Sequence, residues 1–177
     1  MKKAVMIIAA LLVLAGCMNK AGRKHLQKKA VDFDVNLLRN DLQPAAGTNG
    51  QLLYLPVYSN IPYLIDTGMF DMSAFVAVHN TDLRHQITLS KVLYFNQDGK
   101  LVDDFLREGS VPVSPLATKN FYIPYEDQSG TGANFLIEWI ADTIVNEPLV
   151  ESVTLCLKPN NTLAIQSRGR VIRQNRK

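Results

Sequence analysis

The sequence predicts an all-β protein, an antiparallel β-sandwich that is immunoglobulin-like in general architecture and has about eight strands. Three observations support this prediction. From residue 52 onward, short segments either alternate between apolar and polar residues or are continuously apolar, as strands are. Turn residues separate these segments at regular intervals, as in sandwiches and barrels. No convincing helical periodicity follows the N-terminal segment.

The first 16 residues have the features of a bacterial export signal. Lys2 and Lys3 precede an uninterrupted apolar run over residues 4–15. As a helix this run rises about 18 Å, which is short of the roughly 30 Å hydrocarbon core of a bilayer. The run therefore has the length of the apolar region of a signal peptide and is too short for a membrane span.

Residues 14–17 (Leu-Ala-Gly-Cys) resemble the lipobox of bacterial prolipoproteins. The resemblance implies cleavage before Cys17, lipidation of its thiol and acylation of its freed amine. Two or more acyl chains anchor a protein stably to a membrane. In the sorting rule for such proteins, Asp after the cysteine favours the inner membrane. Because Met18 stands there, we expect an outer-membrane address facing the periplasm in a cell with two membranes.

The distribution of charged residues divides the whole chain into three parts. Residues 1–30 hold seven Lys or Arg and no acid, residues 31–167 hold seven basic and all 16 acidic residues, and residues 168–177 hold five basic residues and no acid. We predict a basic tether in residues 17–50, a sandwich over residues 51–172 and a basic tail over residues 173–177. Basic ends on an exported chain favour membrane lipid or envelope polymer as partners, and we expect no nucleic acid.

The first segments of the body differ in character. Residues 31–42 fit a strand or a helix equally well. Residues 52–59 alternate, and Pro56 indicates an edge strand because proline donates no backbone hydrogen bond. Residues 72–79 are apolar on both faces, which predicts a buried strand.

The clearest hairpin follows. Residues 86–95 alternate, residues 96–99 turn the chain, and residues 100–106 return, because Gly99 can adopt the positive φ that such a turn needs. The apolar side chains of the first strand are predicted to share one face: Ile87, Leu89, Leu93 and Phe95. Four further strands are predicted over residues 118–123, 134–141, 149–157 and 163–172. Cys156 lies within one of them and is expected to be buried and inert.

A polar loop that contains glycines provides the candidate ligand-binding residues. Carboxylate and hydroxyl oxygens in such a loop can bind a cation, and the N–H groups of its glycines can bind an anion. The alternative is a solvated loop between strands. The candidates are Glu126, Asp127, Ser129, Gly130, Gly132 and Asn134. The nearby Glu138 alternates with Trp139 and is expected to face solvent.

Three residues near the end of the second strand are weak metal candidates: His79, Asp82 and His85. The favoured interpretation is that Asn80 and Asp82 are turn formers whose side chains accept hydrogen bonds from their own backbone. The sequence contains no phosphate-binding loop, serine-hydrolase elbow, zinc-protease pair or cysteine pair with zinc spacing. We therefore predict no metal, no cofactor and no catalytic residue.

Several segments together resemble a known family. They are residues 55–59 (LPVYS), 80–82 (NTD), 129–135 (SGTGANF) with Glu138 and Trp139, and 167–172 (SRGRVI). These segments resemble an uncharacterised family of bacterial secreted proteins and lipoproteins, known only as a domain of unknown function. The resemblance extends over about residues 52–172 and implies a shared all-β domain without assigning an activity.

Three hypotheses for function remain open. The leading one is a membrane-anchored envelope lipoprotein that acts as a non-catalytic binding or structural module for an envelope polymer or protein. The second is a metal-dependent or carboxylate-based envelope enzyme that uses Glu126, Asp127 and Glu138. The third is a small-ligand sensor with a pocket near three tyrosines, Tyr54, Tyr58 and Tyr63.

Overall fold

The computed structural model describes residues 29–34, 49–64, 68–107, 109–125, 127–158 and 161–175. Within these ranges the chain forms twelve strands and no helix, which confirms the all-β fold with more strands than the eight predicted. No helix in the described part is long and apolar enough to cross a membrane. The strands are β1 (Asn49–Pro56), β2 (Asn60–Leu64), β3 (Gly68–Asp71), β4 (Ser73–His79), β5 (Ile87–Phe95), β6 (Leu101–Asp104), β7 (Val111–Val113), β8 (Thr118–Ile123), β9 (Asn134–Ala141), β10 (Leu149–Lys158), β11 (Asn161–Arg168) and β12 (Arg170–Asn175).

Two antiparallel sheets make the sandwich. The six-stranded sheet has the order β12-β1-β9-β5-β6, and β7 also pairs with β5. The four-stranded sheet has the order β11-β10-β4-β8, and β2 and β3 form a separate ladder. The chain changes sheets at Gly169, whose N–H donates to the Val150 carbonyl at 2.8 Å. This crossing divides the predicted strand over residues 163–172 into β11 and β12.

The core lies between the two sheets and contains alternate side chains from each. Trp139 belongs to it, and its indole Nε1 donates to Gln51 Oε1 at 3.2 Å, so the ring is buried without an unsatisfied donor. Cys156 is fully buried, as predicted. The largest fully buried side chains are Tyr94, Phe135, Leu55, Met72, Ile87, Leu89, Ile137, Val57, Val76, Val78 and Val92.

The sequence predicted that the apolar side chains of strand β5 share one face, and this prediction is wrong. The register of β5 against β9 shifts between Leu89 and Lys91, so one extra residue is inserted. Because side-chain direction has a period of two, the bulge reverses the faces beyond it. Ile87 and Leu89 therefore lie in the main core, whereas Leu93 and Phe95 belong to a second cluster with Leu52 on the outer side of the six-stranded sheet.

Two other strand predictions were wrong. Strand β1 is not an edge strand, because it lies between β12 and β9. Pro56 is tolerated at its last position, since pairing with β12 has already ended at Tyr54. Strand β4 is not buried on both faces: Ala74, Val76 and Val78 are fully buried, but Phe75 is 48% exposed on the outer face of the four-stranded sheet.

The N-terminal segment contacts the second cluster. Val31 forms a bridge with Leu101, and the Phe33 ring lies 5.2 Å from that of Phe95 in an edge-to-face arrangement. Residues 35–42, which complete the segment of ambiguous pattern, lie outside the described residues. At the other terminus, residues 173–175, assigned to the tail from the sequence, continue strand β12.

Opposite ends of the sandwich carry different loops, and we name each by one residue. The Asn80 end comprises residues 80–86, 114–117 and 142–148, which follow β4, β7 and β9. The Gly130 end comprises residues 57–59, 96–100 and 127–133. The hairpin turn over residues 96–99 is confirmed, with Gly99 at φ 74° and its N–H donating to the Asn96 carbonyl at 3.0 Å.

Candidate functional site

The Gly130 end contains most of the predicted ligand-binding residues, and they bind one another. Asp127 Oδ2 accepts hydrogen bonds from the Tyr94 hydroxyl at 2.8 Å and from the Ser129 N–H at 3.0 Å. Asp127 Oδ1 accepts from the Ser129 hydroxyl at 3.0 Å. Burial, reinforced by the negative charge of Asp127, raises the pKa of the Tyr94 phenol far above its usual range, so this phenol stays neutral and remains a donor.

A buried serine from a distant part of the chain completes this arrangement. The Ser59 hydroxyl donates to the Gly130 carbonyl at 3.2 Å and accepts from the Gly130 N–H at 3.1 Å. Gly130 has φ 101°, and an added Cβ would lie 2.4 Å from Gln97 Oε1. The loop therefore fastens the turn after β1 to the loop before β9.

The other candidate ligand-binding residues of this loop take no part in these hydrogen bonds or lie outside the described residues. Asn134 begins β9 and pairs with Pro56 on one side and Phe95 on the other. Gly132 lies beside Gln97, with room for a Cβ atom at 3.7 Å from the nearest side-chain atom. Glu126 lies outside the described residues, as does Cys17. A ligand-binding role for these residues stays a prediction.

Glu138 is buried, which contradicts the expected solvent-facing position. It is 4% exposed on the outer face of the six-stranded sheet. Its Oε2 accepts from the Ser90 hydroxyl at 2.6 Å, and Arg173 Nη2 lies 3.4 Å from Oε1. Burial raises its pKa, against the opposing effects of Ser90 and Arg173. Asp127, by contrast, bonds Tyr94 at the Gly130 end, so these two carboxylates do not form one site.

At the Asn80 end, the three metal candidates separate into two groups. His79 Nδ1 lies 2.8 Å from Thr118 Oγ1, and its Nε2 lies 3.5 Å from Glu151 Oε1. His85 Nδ1 lies 3.2 Å from Asp82 Oδ1. Across the described ranges, no group of three or more His, Cys, Asp or Glu side chains is placed to hold a metal ion.

Asn80 joins two of the loops at this end. Its side-chain Nδ2 lies within donor distance of the carbonyls of His85 at 2.9 Å, Val113 at 2.9 Å and Ser114 at 3.1 Å. Its Oδ1 accepts from the Asp82 N–H at 3.0 Å, as expected of a turn former. The side chain thus holds residues 80–86 against residues 113 and 114.

Asp82 links the first loop at this end, residues 80–86, to the third loop, residues 142–148. Its Oδ1 accepts from the N–H groups of Arg84 and His85, both at 2.8 Å, and its Oδ2 accepts from the Asn146 N–H at 2.9 Å. These backbone donors, with Asn146 first, hold the pKa of the carboxyl well below its usual range. The Thr81 hydroxyl adds a bond to the Glu147 carbonyl at 2.8 Å.

Between the first and third loops lies an open cleft of about 320 Å³. It is lined by Asp82, Leu83, Arg84, His85, Ile144, Val145 and Asn146. Leu83 is 71% exposed and Ile144 is 80% exposed. Leu116, on the middle loop, is 68% exposed and has φ 58°, a conformation that costs a leucine about 1–2 kcal/mol. This end therefore combines fixed backbones with exposed aliphatic side chains.

Sequence reasoning singled out Asn80 and Asp82 but missed Arg84, Ile144 and Ser59. Asn80 and Asp82 bond their own backbones two and three residues away, so their spacing was informative. The contacts to Ser114 and Asn146 span 34 and 64 residues, and nothing in the local pattern predicts them.

Comparison with known proteins gives a family without an assigned activity. Residues 50–172 match a family described as "Protein of unknown function (DUF3124)". No curated protein sequence matches the chain. A solved structure, Thermotoga maritima 1070, is similar at 9% sequence identity and a TM-score of 0.44, over 68% of this chain and 92% of that chain. This likeness is too remote to transfer any property.

Proposed function

We propose that this chain, which belongs to the DUF3124 family of proteins of unknown function, is a lipid-anchored envelope protein whose sandwich is a non-catalytic binding module. The proposal rests on the structure of the loops at the Asn80 end. There, two buried polar side chains fix three loops, and those loops expose Leu83, Leu116 and Ile144 to solvent.

Fixed loops of this kind suit recognition. Binding residues lie disproportionately on loops that a rigid scaffold positions, and clustered exposed apolar side chains mark interaction surfaces. The positive φ of Leu116 supports the same interpretation, because strained backbone persists where the surroundings enforce it and is concentrated at functional sites. Ala117 provides part of that enforcement, since its carbonyl accepts from the Asn80 N–H at 2.9 Å.

The proposed anchor rests on the sequence. Cys17 ends a lipobox-like segment, and the basic residues after it favour an anionic membrane surface. The described chain begins at the Gly130 end, where Val31 pairs with Leu101. The Asn80 end lies at the other end of β5, whose nine residues span about 30 Å. This arrangement supports an orientation in which the Asn80 end faces away from the anchoring membrane.

The anchor is tested by replacing the acceptor thiol. We expect Cys17→Ala to abolish labelling with a fatty-acid analogue and to release the protein from the membrane fraction or leave the precursor uncleaved. Cys156→Ala is the control, and labelling should persist in it. Unlabelled wild-type protein that retains its first residues in a cytosolic extract would contradict the anchor.

The binding surface is tested by photo-crosslinking from single sites in intact cells. A crosslinker at residue 83 should give a discrete adduct, and Ile144→Ser should abolish that adduct because the two side chains line the same cleft. A crosslinker at residue 98, in the exposed hairpin turn of the Gly130 end, is the control. An adduct from residue 98 alone, or an adduct from residue 83 that survives Ile144→Ser, would overturn the proposal.

A further inference from the structure

The cleft at the Asn80 end has an uneven distribution of polar groups, and this distribution specifies its ligand. Asp82 lines the cleft, but both its oxygens are already engaged by the N–H groups of Arg84, His85 and Asn146. The carboxylate therefore organises the wall of the cleft and has little remaining capacity to accept a donor from a ligand.

Arg84 differs from its acidic neighbour. Among the described residues its guanidinium makes no hydrogen bond or ion pair, although its backbone N–H is bonded to Asp82. The His85 ring is oriented with its Nδ1 next to Asp82 Oδ1. A guanidinium offers planar, paired donors that fit a carboxylate in a bidentate arrangement. The Arg84 guanidinium thus gives the cleft a cationic group that suits an anion.

The remaining wall is aliphatic. Leu83, Ile144 and Val145 line the cleft, and its seven lining residues include no Phe, Tyr or Trp. A volume of about 320 Å³ lies near the lower limit of known small-ligand sites. These features suit a small branched or linear aliphatic group better than a flat aromatic one.

We infer that the cleft binds a carboxylate that carries a small aliphatic group, such as the C-terminal residue of an apolar peptide. The carboxylate bonds to the Arg84 guanidinium, and the aliphatic group packs against Leu83, Ile144 and Val145. This inference rests on the proposed function, because it names the ligand class of the same site. A short fatty acid shares the chemistry and is separated from a peptide by the experiment.

The test is a titration of the full-length mature lipoprotein, ¹⁵N-labelled and held in detergent micelles, followed through the backbone amides of His85 and Asn146. The probes are N-acetyl-dialanine, hexanoate and the uncharged amide of each. We expect saturable shifts with one or both acids and none with the amides. Arg84→Gln should weaken binding by about tenfold or more. Ile144→Ser should weaken it by about fivefold.

Arg170→Gln is the matched control, since it removes the same charge from an exposed position on β12. It should leave the affinity unchanged. Binding of hexanoate alone assigns the ligand to fatty acids, and binding of the dipeptide assigns it to peptides. No saturable shift, equal shifts with the amides, or equal losses in Arg84→Gln and Arg170→Gln would overturn the inference. Failure here with a positive crosslink from residue 83 would refute the ligand class and leave the binding module standing.

Discussion

The two ends of the sandwich share one hydrogen-bonding device but differ in the side chains around it. At each end a carboxylate accepts backbone N–H groups from its own loop, Asp127 at one end and Asp82 at the other. At the Gly130 end Asp127 also accepts from the buried Tyr94, the buried Ser59 bonds Gly130, and the loop closes on the body of the protein. At the Asn80 end the network holds the loop bases, and the side chains beyond it remain exposed.

This difference separates a structural fastening from the surface that we propose for recognition. The Gly130 end uses its polar atoms to satisfy buried donors and acceptors, which is what a buried network must do to be stable. The Asn80 end satisfies its backbone in the same way, yet Leu83 and Ile144 remain exposed and line a cleft together with Arg84.

The largest effect is expected at Asn80, because its removal leaves the buried Val113 carbonyl and two neighbouring carbonyls without their donor. Asn80→Ala should lower the free energy of unfolding by about 2–4 kcal/mol. Urea denaturation of the full-length protein measures this. The exposed Asn120 on β8 is the control, and Asn120→Ala should change stability by no more than about 0.5 kcal/mol. Equal effects of the two substitutions would show that the Asn80 network does not hold the loops.

Gly130 tests the fastening at the other end. Gly130→Ala should cost about 2 kcal/mol, because alanine resists φ 101° and its Cβ would displace the Gln97 side chain. Gly99→Ala is the matched control, since Gly99 also has a positive φ but no atom within 4 Å of an added Cβ. It should cost about 1 kcal/mol. A larger loss at Gly99 than at Gly130 in the same urea experiment would contradict the close packing of this loop.

Acid should weaken the Asn80 end through Asp82. The pKa of this carboxyl is lower in the folded state than the ordinary value of 3.8, so its contribution to stability is complete above that value and declines as the pH falls below it. The stability difference between the wild type and Asp82→Asn should therefore be larger at pH 6 than at pH 3. Melting temperatures at the two pH values measure it, and a constant difference would contradict the role of the ionised carboxylate.

Glu138 provides a control of opposite sign for that experiment. Burial raises its pKa above the ordinary 4.5, so ionisation costs stability as the pH rises through the window above this value. Glu138→Gln should therefore remove part of the stability loss between pH 4.5 and 7. If both carboxyl substitutions changed stability with the same sign of pH dependence, burial and backbone donation would not explain the two sites.

The smallest effect on stability is expected at the exposed tips. Ile144→Ser should change the free energy of unfolding by no more than about 0.5 kcal/mol, because the side chain is 80% exposed. Ile137→Ser, in the core, is the contrasting control and should cost about 3 kcal/mol or more. Destabilisation by Ile144→Ser comparable to that of Ile137→Ser would mean that Ile144 has a structural role.

The sequence predicted the sandwich and the hairpin at residues 96–99 because both depend on local patterns: alternation, turn residues and a glycine that tolerates positive φ. It did not predict the face reversal in β5, since the bulge at residues 89–91 contains no glycine or proline to mark it. Glu138 was misplaced for a related reason. Its direction on β9 followed from alternation, but its burial depends on Ser90 and Arg173 from other strands.

Predicting the cleft from the sequence would have required contacts between residues that are still further apart in the chain. Asn80 and Asp82 were identified as turn formers from their spacing, and their backbone contacts agree with that. Which loops they hold depends on the order of the strands, which brings residues 113 and 146 to the same end as residue 80. Arg84 and Ile144 are ordinary polar and apolar residues until that topology places them on facing walls.

Hydrogen exchange of the full-length protein, purified and then in isolated cell envelopes, tests the central claim most directly. If the Asn80 end is the recognition surface, amide exchange over residues 80–86, 114–117 and 142–148 should become slower in the envelope, while residues 127–133 remain unchanged. Slower exchange confined to residues 127–133, or identical exchange in both samples throughout the sandwich, would contradict it.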